Sequence, residues 1–458
     1  MYRTARKSSW LFGTLLLLLG GSGLHAQLAS DFVDIRPKLN SPLSRFGGGN
    51  PLDQVHAAQS GMGALRTAYQ NAYHLNVQNP ASLASLQASS FEVGIYARNA
   101  NLSDSDSEVN TWQGNLRYLA LGFPLRNPVN LSLEQLENSW NAGMAFSLAP
   151  VSIVGYDLLL TDTDEDFGRT TNTLRGNGGA YRFTWSTAAR YRSLSAGVNL
   201  NYNFGKVTNS RVVIFNDLPE ALGSELLEDV ANSGFSLGYG LQYGYEFKSV
   251  NDEGERTTNG KRIIIGVDGT LGTTIDNTST RLLRRFSPTG GLFVRDTLLS
   301  EVEVEGETTL PASYNVGVAF HDFNRLFIGV EFGQTKGSQY RNSALPDRLV
   351  DGTRFAAGIE YIPDVTSYNS FFKRVRYRAG VRIEDDGRTL DGMQARRNAV
   401  TIGAGFPLRL PRQQISFIDL AIEAGQFGVP DVLDENYVQF TLGFSLNDNS
   451  WFFKRKLN

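Results

Sequence analysis

The chain from Phe91 to Leu446 repeats one pattern, in which apolar side chains alternate with small or polar ones. The last repeat is the clearest, because Val438, Phe440 and Leu442 are separated by single Gln and Thr residues. Alternation with a period of two residues is typical of a β-strand with one apolar face. The pattern therefore predicts an all-β fold with many strands.

Fourteen strands are predicted, at 91–97, 111–123, 140–149, 181–191, 194–215, 235–247, 262–275, 314–320, 326–334, 355–362, 375–383, 400–406, 415–423 and 437–446. Connections after the odd-numbered strands are mostly long: 159–175, 216–232, 276–311, 336–352, 385–398 and 425–436. Those after the even-numbered strands are mostly short: 192–193, 249–260, 321–324 and 407–413, with 124–138 and 363–374 as longer exceptions.

This alternation of long and short connections determines the predicted class. Outer-membrane barrels have an even number of strands, short periplasmic turns and long outer loops. A β-sandwich or a propeller has no reason to alternate in this way, and a soluble solenoid would need a fixed short repeat, which the sequence lacks. We predict a transmembrane antiparallel β-barrel of about 14 strands over residues 91–447.

Composition agrees with a barrel and excludes several other classes. Hydrophobic residues make up 41% of the 458 residues and the mean hydropathy is −0.24. These values exclude a bundle of membrane helices but fit a barrel, in which only every second residue faces lipid. The net charge of −3 provides no basic field for nucleic acid. The absence of Cys excludes a disulfide scaffold and thiolate metal sites.

The N-terminus has the order of a secretory signal peptide. Arg3, Arg6 and Lys7 precede the apolar run 10–19, and Ala26 offers a small residue for cleavage. The apolar run is shorter than the ~20 residues that a spanning helix needs, so a cleaved signal is favoured over a retained anchor. We predict a signal peptide at residues 1–26, export through the inner membrane and location in the outer membrane.

Residues 41–86 differ from everything that follows. They are rich in Gly, Ser, Ala and Asn and lack the alternation of a strand, although a short helix is predicted within 62–77. A compact leader ahead of many strands predicts an N-terminal plug in the barrel lumen, so a tail and plug occupy 27–90 and a periplasmic C-terminal tail occupies 448–458. Single glycines in the strands indicate bends or tight packing in the lumen; they are Gly197, Gly317, Gly329, Gly380, Gly403 and Gly443.

Several motifs resemble one family. The stretch 41–47, Ser-Pro-Leu-Ser-Arg-Phe-Gly, is similar to the Ser-Pro-Tyr-Ser-Arg-Tyr-Gly opening of a group of Bacteroidota outer-membrane proteins. Further matches follow in order at 79–82, 148–156, 176–179, 194–199, 204–206, 360–364, 377–380 and 451–456. That group resembles the FadL/TodX-type channels, fourteen-stranded barrels whose N-terminal hatch ends near Asn-Pro-Ala, here Asn79-Pro80-Ala81. The resemblance implies uptake of small hydrophobic compounds.

The resemblance also implies candidate site residues. Phe46 and Asn79-Pro80-Ala81 are expected at the plug and along a ligand path. Pro150 lies in the third predicted strand and cannot donate to the ladder, so it is a candidate for a wall kink or lateral gate, as in the third strand of FadL-type channels. The alternative is that Pro150 ends the strand at the outer interface, since 140–149 already has the ~10 residues that a spanning strand needs.

Two features of the predicted outer loops have open interpretations. Apolar residues of 218–230 recur at helical spacing, so a helix is predicted there that shields the rim or covers a ligand funnel. The acidic runs 103–108 and 162–166 are candidates for calcium, although Gly168 is one place late for an EF-hand loop. The alternative is solvated loops, bridged by divalent ions to lipopolysaccharide.

An enzyme is not predicted. The chain after the signal peptide has only His56, His74 and His321, and it lacks a paired motif such as His-Glu-x-x-His. The first two lie in the predicted plug and the third in a turn, which is poor placement for a catalytic base. No cofactor or metal is predicted.

Two functions from different classes remain open. The first is an outer-membrane channel for small hydrophobic, fatty-acid-like compounds, gated by the plug and surrounded by outer-membrane lipid and lipopolysaccharide. The alternative is a non-transporting structural or accessory subunit of an outer-membrane machine for protein secretion, barrel assembly or gliding, with protein partners in an envelope complex. Large ordered outer loops favour the second function, and a ligand in the lumen near Asn79-Pro80 favours the first.

Overall fold

The structure is a computed structural model that describes residues 41–103, 108–126, 140–166, 168–250, 256–288, 293–322, 325–409, 414–429 and 432–448. The predicted signal peptide, the tail before Ser41, most of the acidic run 103–108 and nearly all of the C-terminal tail lie outside these residues. None of the helices in the described ranges has the length and apolar character needed to cross a membrane.

Antiparallel β-strands in one sheet form most of the described chain. Their bounds are β1 Asn50–Pro51, β2 Ser89–Ser103, β3 Glu108–Pro124, β4 Trp140–Asp164, β5 Gly168–Tyr191, β6 Leu194–Phe215, β7 Gly223–Val250, β8 Arg256–Thr270, β9 Thr273–Ser287, β10 Phe293–Leu310, β11 Ser313–Asp322, β12 Leu326–Thr335, β13 Arg341–Asn342, β14 Gly352–Tyr361, β15 Arg376–Leu390, β16 Met393–Arg409, β17 Ile415–Val429 and β18 Leu433–Asp448. The short helices are Ala57–Ser60 and the 3-10 turns Pro42–Arg45, Pro80–Ser85, Gly337–Gln339 and Phe372–Arg374.

The sheet closes into a barrel of 14 strands. The closing pair is β18 with β2, in which Leu442 lies opposite Ile95. The long strand β7 pairs with β8 through its second half and with β9 through its first half. β9 pairs with β10, and β8 pairs with β11. Thus β8 and β9 together form one interrupted strand of the barrel wall, and β10 and β11 together form the next. The predicted fold class and strand number are confirmed.

The burial pattern is that of a barrel in lipid. On β18, Phe440 and Leu442 are 45% and 42% exposed, whereas the intervening Thr441 is buried. Apolar side chains point outward to the lipid and polar side chains point into the lumen, as the alternation in the sequence predicts.

Six strands continue far beyond the length needed to span the membrane. β4 has 25 residues and β7 has 28, compared with the ~9–11 of a spanning strand. We call the extension the outer rim; it comprises residues 155–164, 168–178, 206–215, 223–231, 276–287 and 293–307. The predicted loops 159–175 and 276–311 are therefore mostly the hairpins β4–β5 and β9–β10. The rim does not face lipid, and its buried side chains include polar Glu225 and Asn277 as well as apolar Leu174 and Phe286, so its sequence lacks the apolar alternation that reveals a spanning strand.

Two predicted helices are wrong. Within 218–230, β7 begins at Gly223 and pairs with both β6 and β9. Residues four apart, such as Leu226 and Val230, share a face in a strand as well as in a helix, because four is an even number. Within 62–77 the structure contains turns, and Gly63 and Ala64 have positive φ angles of 69° and 59° that end the preceding helical turn.

Candidate functional site

The N-terminal segment (residues 41–88) lies inside the barrel and contacts the inward faces of many wall strands. Gly61 meets Gly403 of β16, Gly63 meets Gly380 of β15 and Thr67 meets Gly266 of β8. A Cβ atom on these wall glycines would overlap the segment, so their lack of a side chain permits the close approach. All six glycines singled out in the sequence contact the segment, at Pro80, Thr67, Leu65, Gly63, Gly61 and Ala57 respectively. The prediction of tight lumen packing is confirmed.

Charged residues of the wall bind the backbone of the segment. Glu331 of β12 accepts hydrogen bonds from the backbone N–H groups of Arg66 at 2.8 Å and Thr67 at 3.0 Å. Arg354 of β14 forms an ion pair with Glu331 and donates to the carbonyl of Ala64 at 2.8 Å. Both charged side chains are nearly inaccessible to solvent. The polar main chain of the segment is thus satisfied by fixed wall charges rather than by water.

Further buried ion pairs continue this arrangement around the lumen. Arg382 bridges Asp53 of the segment and Glu423 of β17, and Arg388 donates to the carbonyl of Leu43 at 3.0 Å. Other buried pairs include Arg378 with Glu360 and Asp419, Arg388 with Asp386, and His56 with Glu92. The pair of Arg382 with Asp53 joins the wall to the segment, and breaking it would leave a charge without its partner in the lumen, so this contact holds the segment to the wall.

The motif Asn79-Pro80-Ala81 is fully buried within this packing. The Asn79 side chain accepts from the Ala81 N–H at 3.2 Å and donates to the Thr67 carbonyl at 2.7 Å, and Pro80 begins the 3-10 turn Pro80–Ser85. Asn79 and Pro80 lie against Gly240, and Pro80 also lies against Gly197. None of the three motif residues lines the cavities described below.

The wall has a gap between β3 and β4, and Pro150 lies at its lower edge. Among the residues that the structure describes, these strands pair through Leu119–Pro124 and Gly143–Leu148 alone. Just above, β4 has a bulge between Pro150 and Ser152 relative to β5. The alternative in which Pro150 ends the strand is wrong, because β4 continues to Asp164. In the gap, β4 pairs instead with β1, where Asn50 lies opposite Ile153.

Two neighbouring cavities, which we call the outer cavities, lie inside the barrel beside this gap. The larger has a volume of about 360 Å³ and the smaller about 170 Å³, and both are lined by Val151, Ser152 and Arg182. Apolar residues dominate the smaller one: Val151, Ala180, Phe204, Val207, Val230, Ile275, Leu310 and Leu345. The larger one also meets charged residues: Asp53, Arg66, Arg354, Glu384, Asp385, Asp386 and Arg388.

Arg182 has a neutral partner, unlike paired arginines such as Arg354; Arg117, which donates to the Val55 carbonyl and the Thr441 hydroxyl, is another lumen arginine of this kind. Its Nε donates to the side-chain oxygen of Asn203 at 2.8 Å. In the described ranges, it forms no ion pair with a carboxylate. A guanidinium in a low-dielectric site without a counter-ion attracts a carboxylate or a phosphate. Sequence reasoning missed Arg182, since nothing in the alternating pattern separates it from its neighbours.

The outer loop (residues 336–351) covers the N-terminal segment from the rim side. Its strand β13 pairs with β10, with Asn342 opposite Thr308, and its Leu349 packs against Gly47. Asp347 accepts a hydrogen bond from the Gly47 N–H at 3.1 Å. Burial raises the pKa of Asp347, while this hydrogen bond and the charge of Arg45 act in the opposite direction. Phe46, a predicted ligand-path residue, lines a cavity of about 250 Å³ beside Asp347.

Another cavity, of about 540 Å³, lies on the opposite side of the N-terminal segment, toward the short turns. Arg126, Arg190, Arg262 and Arg376 contribute to its lining, as does His321. Among the described residues, no group of three or more His, Asp or Glu is arranged to hold a metal ion.

The closed barrel of 14 antiparallel strands has a FadL-like fold. The CymD monoaromatic hydrocarbon channel has this fold, with a TM-score of 0.52 at 15% identity over 86% of this chain and 97% of its own. A FadL homologue from Pseudomonas aeruginosa gives 0.53 at 13% identity, over 87% and 99%. The toluene transporter TodX from Pseudomonas putida gives 0.52 at 15% identity, over 87% and 99%.

The family is shown by the sequence itself. The BamG family model matches residues 36–458, and the chain belongs to the BamG family. No curated protein matches the sequence. The solved structures share the fold at low identity, and the Bacteroidota group that the motifs resemble stays a prediction.

Proposed function

We propose that the protein is an outer-membrane channel that takes small hydrophobic compounds into the outer cavities and releases them sideways through the β3–β4 gap. The observation that carries this proposal is that the cavities and the gap share residues. Val151 and Ser152 of β4 line both cavities, and they belong to the stretch of β4 that has left β3. A compound in the cavities is therefore next to an opening in the wall.

The route does not require the N-terminal segment to leave the lumen. Glu331, Arg382 and Arg388 hold the segment in place through their contacts with its backbone and with Asp53. β1 lies in the gap with two residue pairs to β4, and hydrogen bonds between β4 and Ser44, Leu52 and Gln54 flank it. Shifting these few contacts costs less than unpacking the lumen, so gating is assigned to β1. Within the predicted plug, Phe46 and Asn79-Pro80-Ala81 then fix the segment instead of moving with the ligand.

The proposed ligands are amphipathic, with an apolar body and one acidic group. The smaller cavity supplies an apolar lining, and Arg182 supplies a cation at the junction of the two cavities. Their volumes together fall in the range of small-molecule sites, roughly 300–1,000 Å³. A fatty-acid-like carboxylate fits this combination better than a neutral hydrocarbon.

Binding of radiolabelled dodecanoate and toluene to the purified barrel tests the proposal. Arg182→Ala is expected to weaken dodecanoate binding at least tenfold, which corresponds to ~1.4 kcal/mol, and to leave toluene binding nearly unchanged. Arg169→Ala, in an exposed ion pair with Asp217 on the outer rim, is the matched control. Absence of saturable binding of both compounds to the unaltered protein would reject the channel.

A second function is favoured by a different observation. The family name BamG is consistent with a subunit of the barrel-assembly machine, and a tall ordered outer rim offers surface to a protein partner. A non-transporting accessory subunit would also tolerate a lumen closed by buried ion pairs. Extraction from native membranes in mild detergent, followed by mass spectrometry, separates the two. A stoichiometric hydrophobic molecule supports the channel, whereas a stoichiometric protein partner with an empty lumen supports the accessory subunit.

A further inference from the structure

The outer rim is an open sheet with two edge strands, in contrast to the closed wall below it. β4 pairs with β5 as far as Asp164, but on its other side the described residues pair with it only through Gly143–Leu148 and at Ser152 and Ile153. β10 pairs with β9 along its length. On the other side of β10, the short strand β13 is its one strand partner among the described residues. Unpaired edges of this kind are ready to accept another strand.

The hydrogen bonds of β4 show which of its residues face the open edge. The Val151 carbonyl accepts from the Leu52 N–H at 2.9 Å, and the Gly155 N–H donates to the Ser44 hydroxyl at 3.1 Å. Backbone groups of alternate residues point to the same edge of a strand. Asp157, Leu159 and Thr161 therefore present their N–H and C=O groups to the open edge. The Thr163 N–H is bonded to the Asp162 side chain at 2.8 Å, which ends this stretch.

The edge of β10 is protected against pairing. Its register with β9 shifts three times, between Val294 and Asp296, Thr297 and Leu299, and Glu301 and Val304. It also carries exposed glutamates at 301, 303, 305 and 307. Bulges and edge charges are the devices by which natural sheets prevent the addition of a strand.

The edge of β4 is less protected, although Asp157 and Asp162 carry charge on either side of its leucines. Its register with β5 is unbroken from Ser152 to Asp164, and residues 152–164 contain no Lys, Arg or Pro. Instead three leucines stand in a row, and Leu159 and Leu160 are 69% and 53% exposed on opposite faces. The two edges of the sheet thus differ: β10 is interrupted by bulges and carries four glutamates, whereas β4 is regular and has three leucines between its aspartates.

We propose that residues 157–161 of β4 bind an extended segment of a partner protein as an added β-strand. Main-chain hydrogen bonds to Asp157, Leu159 and Thr161 supply the affinity in this mode of recognition, and side chains supply the specificity. Apolar side chains of the partner segment pack on Leu159 and Leu160. One end of the partner segment would lie near Asp162 and Glu165, and a basic residue of the partner at that end complements their exposed carboxylates. The proposal does not depend on transport through the gap.

Geometry excludes a second copy of this chain as the occupant. Two copies of one edge strand pair in antiparallel fashion about a two-fold axis, which would reverse one strand relative to the other. Because β4 also crosses the membrane, the second barrel would then be upside down. Two barrels in one membrane cannot meet through this edge, so the occupant is a different chain.

Two proline substitutions test the proposal on the full-length protein in its native membrane. Leu159→Pro removes an N–H that points to the open edge and leaves the β4–β5 ladder intact, as proline on an edge strand allows. Glu305→Pro is the matched control, because the Glu307 N–H bonds to the Ser343 hydroxyl at 3.0 Å on the β13 side, so the N–H of Glu305 faces the same edge of β10. Leu159→Ala removes the side chain and keeps the N–H.

The readout is photo-crosslinking from benzoylphenylalanine placed in turn at Asp157, Leu159 and Thr161, with mapping of the linked peptide. The expected result is that one polypeptide is crosslinked, through a single segment in which the linked position shifts by two residues each time the probe moves by two. The crosslinking yield should fall at least tenfold in Leu159→Pro and change little in Glu305→Pro. Heat-modified migration in gels confirms that each variant is a folded barrel. Crosslinks to lipopolysaccharide alone, to a second copy, or to a partner that Leu159→Pro retains would overturn the proposal.

Discussion

Gly61 and Gly403 face each other inside the barrel with no room for a methyl group between them. A Cβ atom on Gly61 would lie 2.9 Å from the Cα of Gly403, and a Cβ atom on Gly403 would lie 2.9 Å from the Cα of Gly61. Neither atom is the end of a flexible side chain, so the backbone of one partner would have to move. The N-terminal segment and β16 are therefore fitted to each other at the backbone.

Gly403→Ala is expected to lower the free energy of unfolding by about 1–3 kcal/mol, as overpacking does elsewhere. Gly244→Ala is the matched control, since a Cβ atom at Gly244 of β7 meets nothing within 4 Å. Urea unfolding in lipid vesicles, followed by tryptophan fluorescence, measures both. Equal effects of the two substitutions would mean that the contact between Gly61 and Gly403 is unimportant.

Glu331→Gln is expected to loosen the N-terminal segment. The amide keeps an acceptor for the Arg66 and Thr67 N–H groups but leaves the buried Arg354 without its counter-ion, a loss of about 3–5 kcal/mol in comparable buried pairs. Limited proteolysis of the folded barrel should then cleave within residues 41–88 faster than in the unaltered protein. Asp217→Asn, in the exposed pair with Arg169, should leave the cleavage rate unchanged.

The sequence predicts the barrel well because lipid imposes a strict rule. Every second residue of a spanning strand must be apolar, and this rule reveals strands as short as 91–97. The outer rim does not face lipid and follows no such rule, so β9 and the upper part of β10 read as a loop. Pro150 indicates in the sequence that the wall is disturbed near the gap. The loss of pairing above Leu148, however, depends on where β3 lies in space, which local sequence does not encode.

The candidate site also has residues that the sequence reveals and residues that only the fold reveals. The motif Asn79-Pro80-Ala81 is conspicuous in the sequence because Pro and Asn have strong local effects, and in the structure its contacts fix the segment. Arg182 is inconspicuous, because its importance derives from a missing counter-ion. A missing neighbour is a property of the fold, and only the structure reveals it.

A reversible lock between β1 and β4 tests whether the gap operates as a gate. Asn50 and Ile153 are direct cross-strand partners, and the chain has no Cys of its own, so Asn50→Cys with Ile153→Cys gives one defined disulfide. If ligands leave through the gap, the oxidised lock should reduce dodecanoate uptake into vesicles severalfold and dithiothreitol should restore it. Ala189→Cys with Ala196→Cys, a pair in the continuous wall, should have no effect in either state.

The contact between Asp347 and Gly47 should depend on pH with an unusual sign. Burial raises the pKa of Asp347 in the folded protein, so folding favours the protonated acid, and the contact weakens as the pH rises through the raised pKa. Asp347→Asn is neutral and keeps an acceptor for the Gly47 N–H. At pH 7 the outer loop of the Asp347→Asn variant should therefore protect the Gly47 amide from hydrogen exchange more than the loop of the unaltered protein does. This difference in protection should vanish below the ordinary pKa of an aspartate. Weaker protection in Asp347→Asn at pH 7 would show instead that the attraction between the Asp347 carboxylate and Arg45 outweighs the cost of its burial.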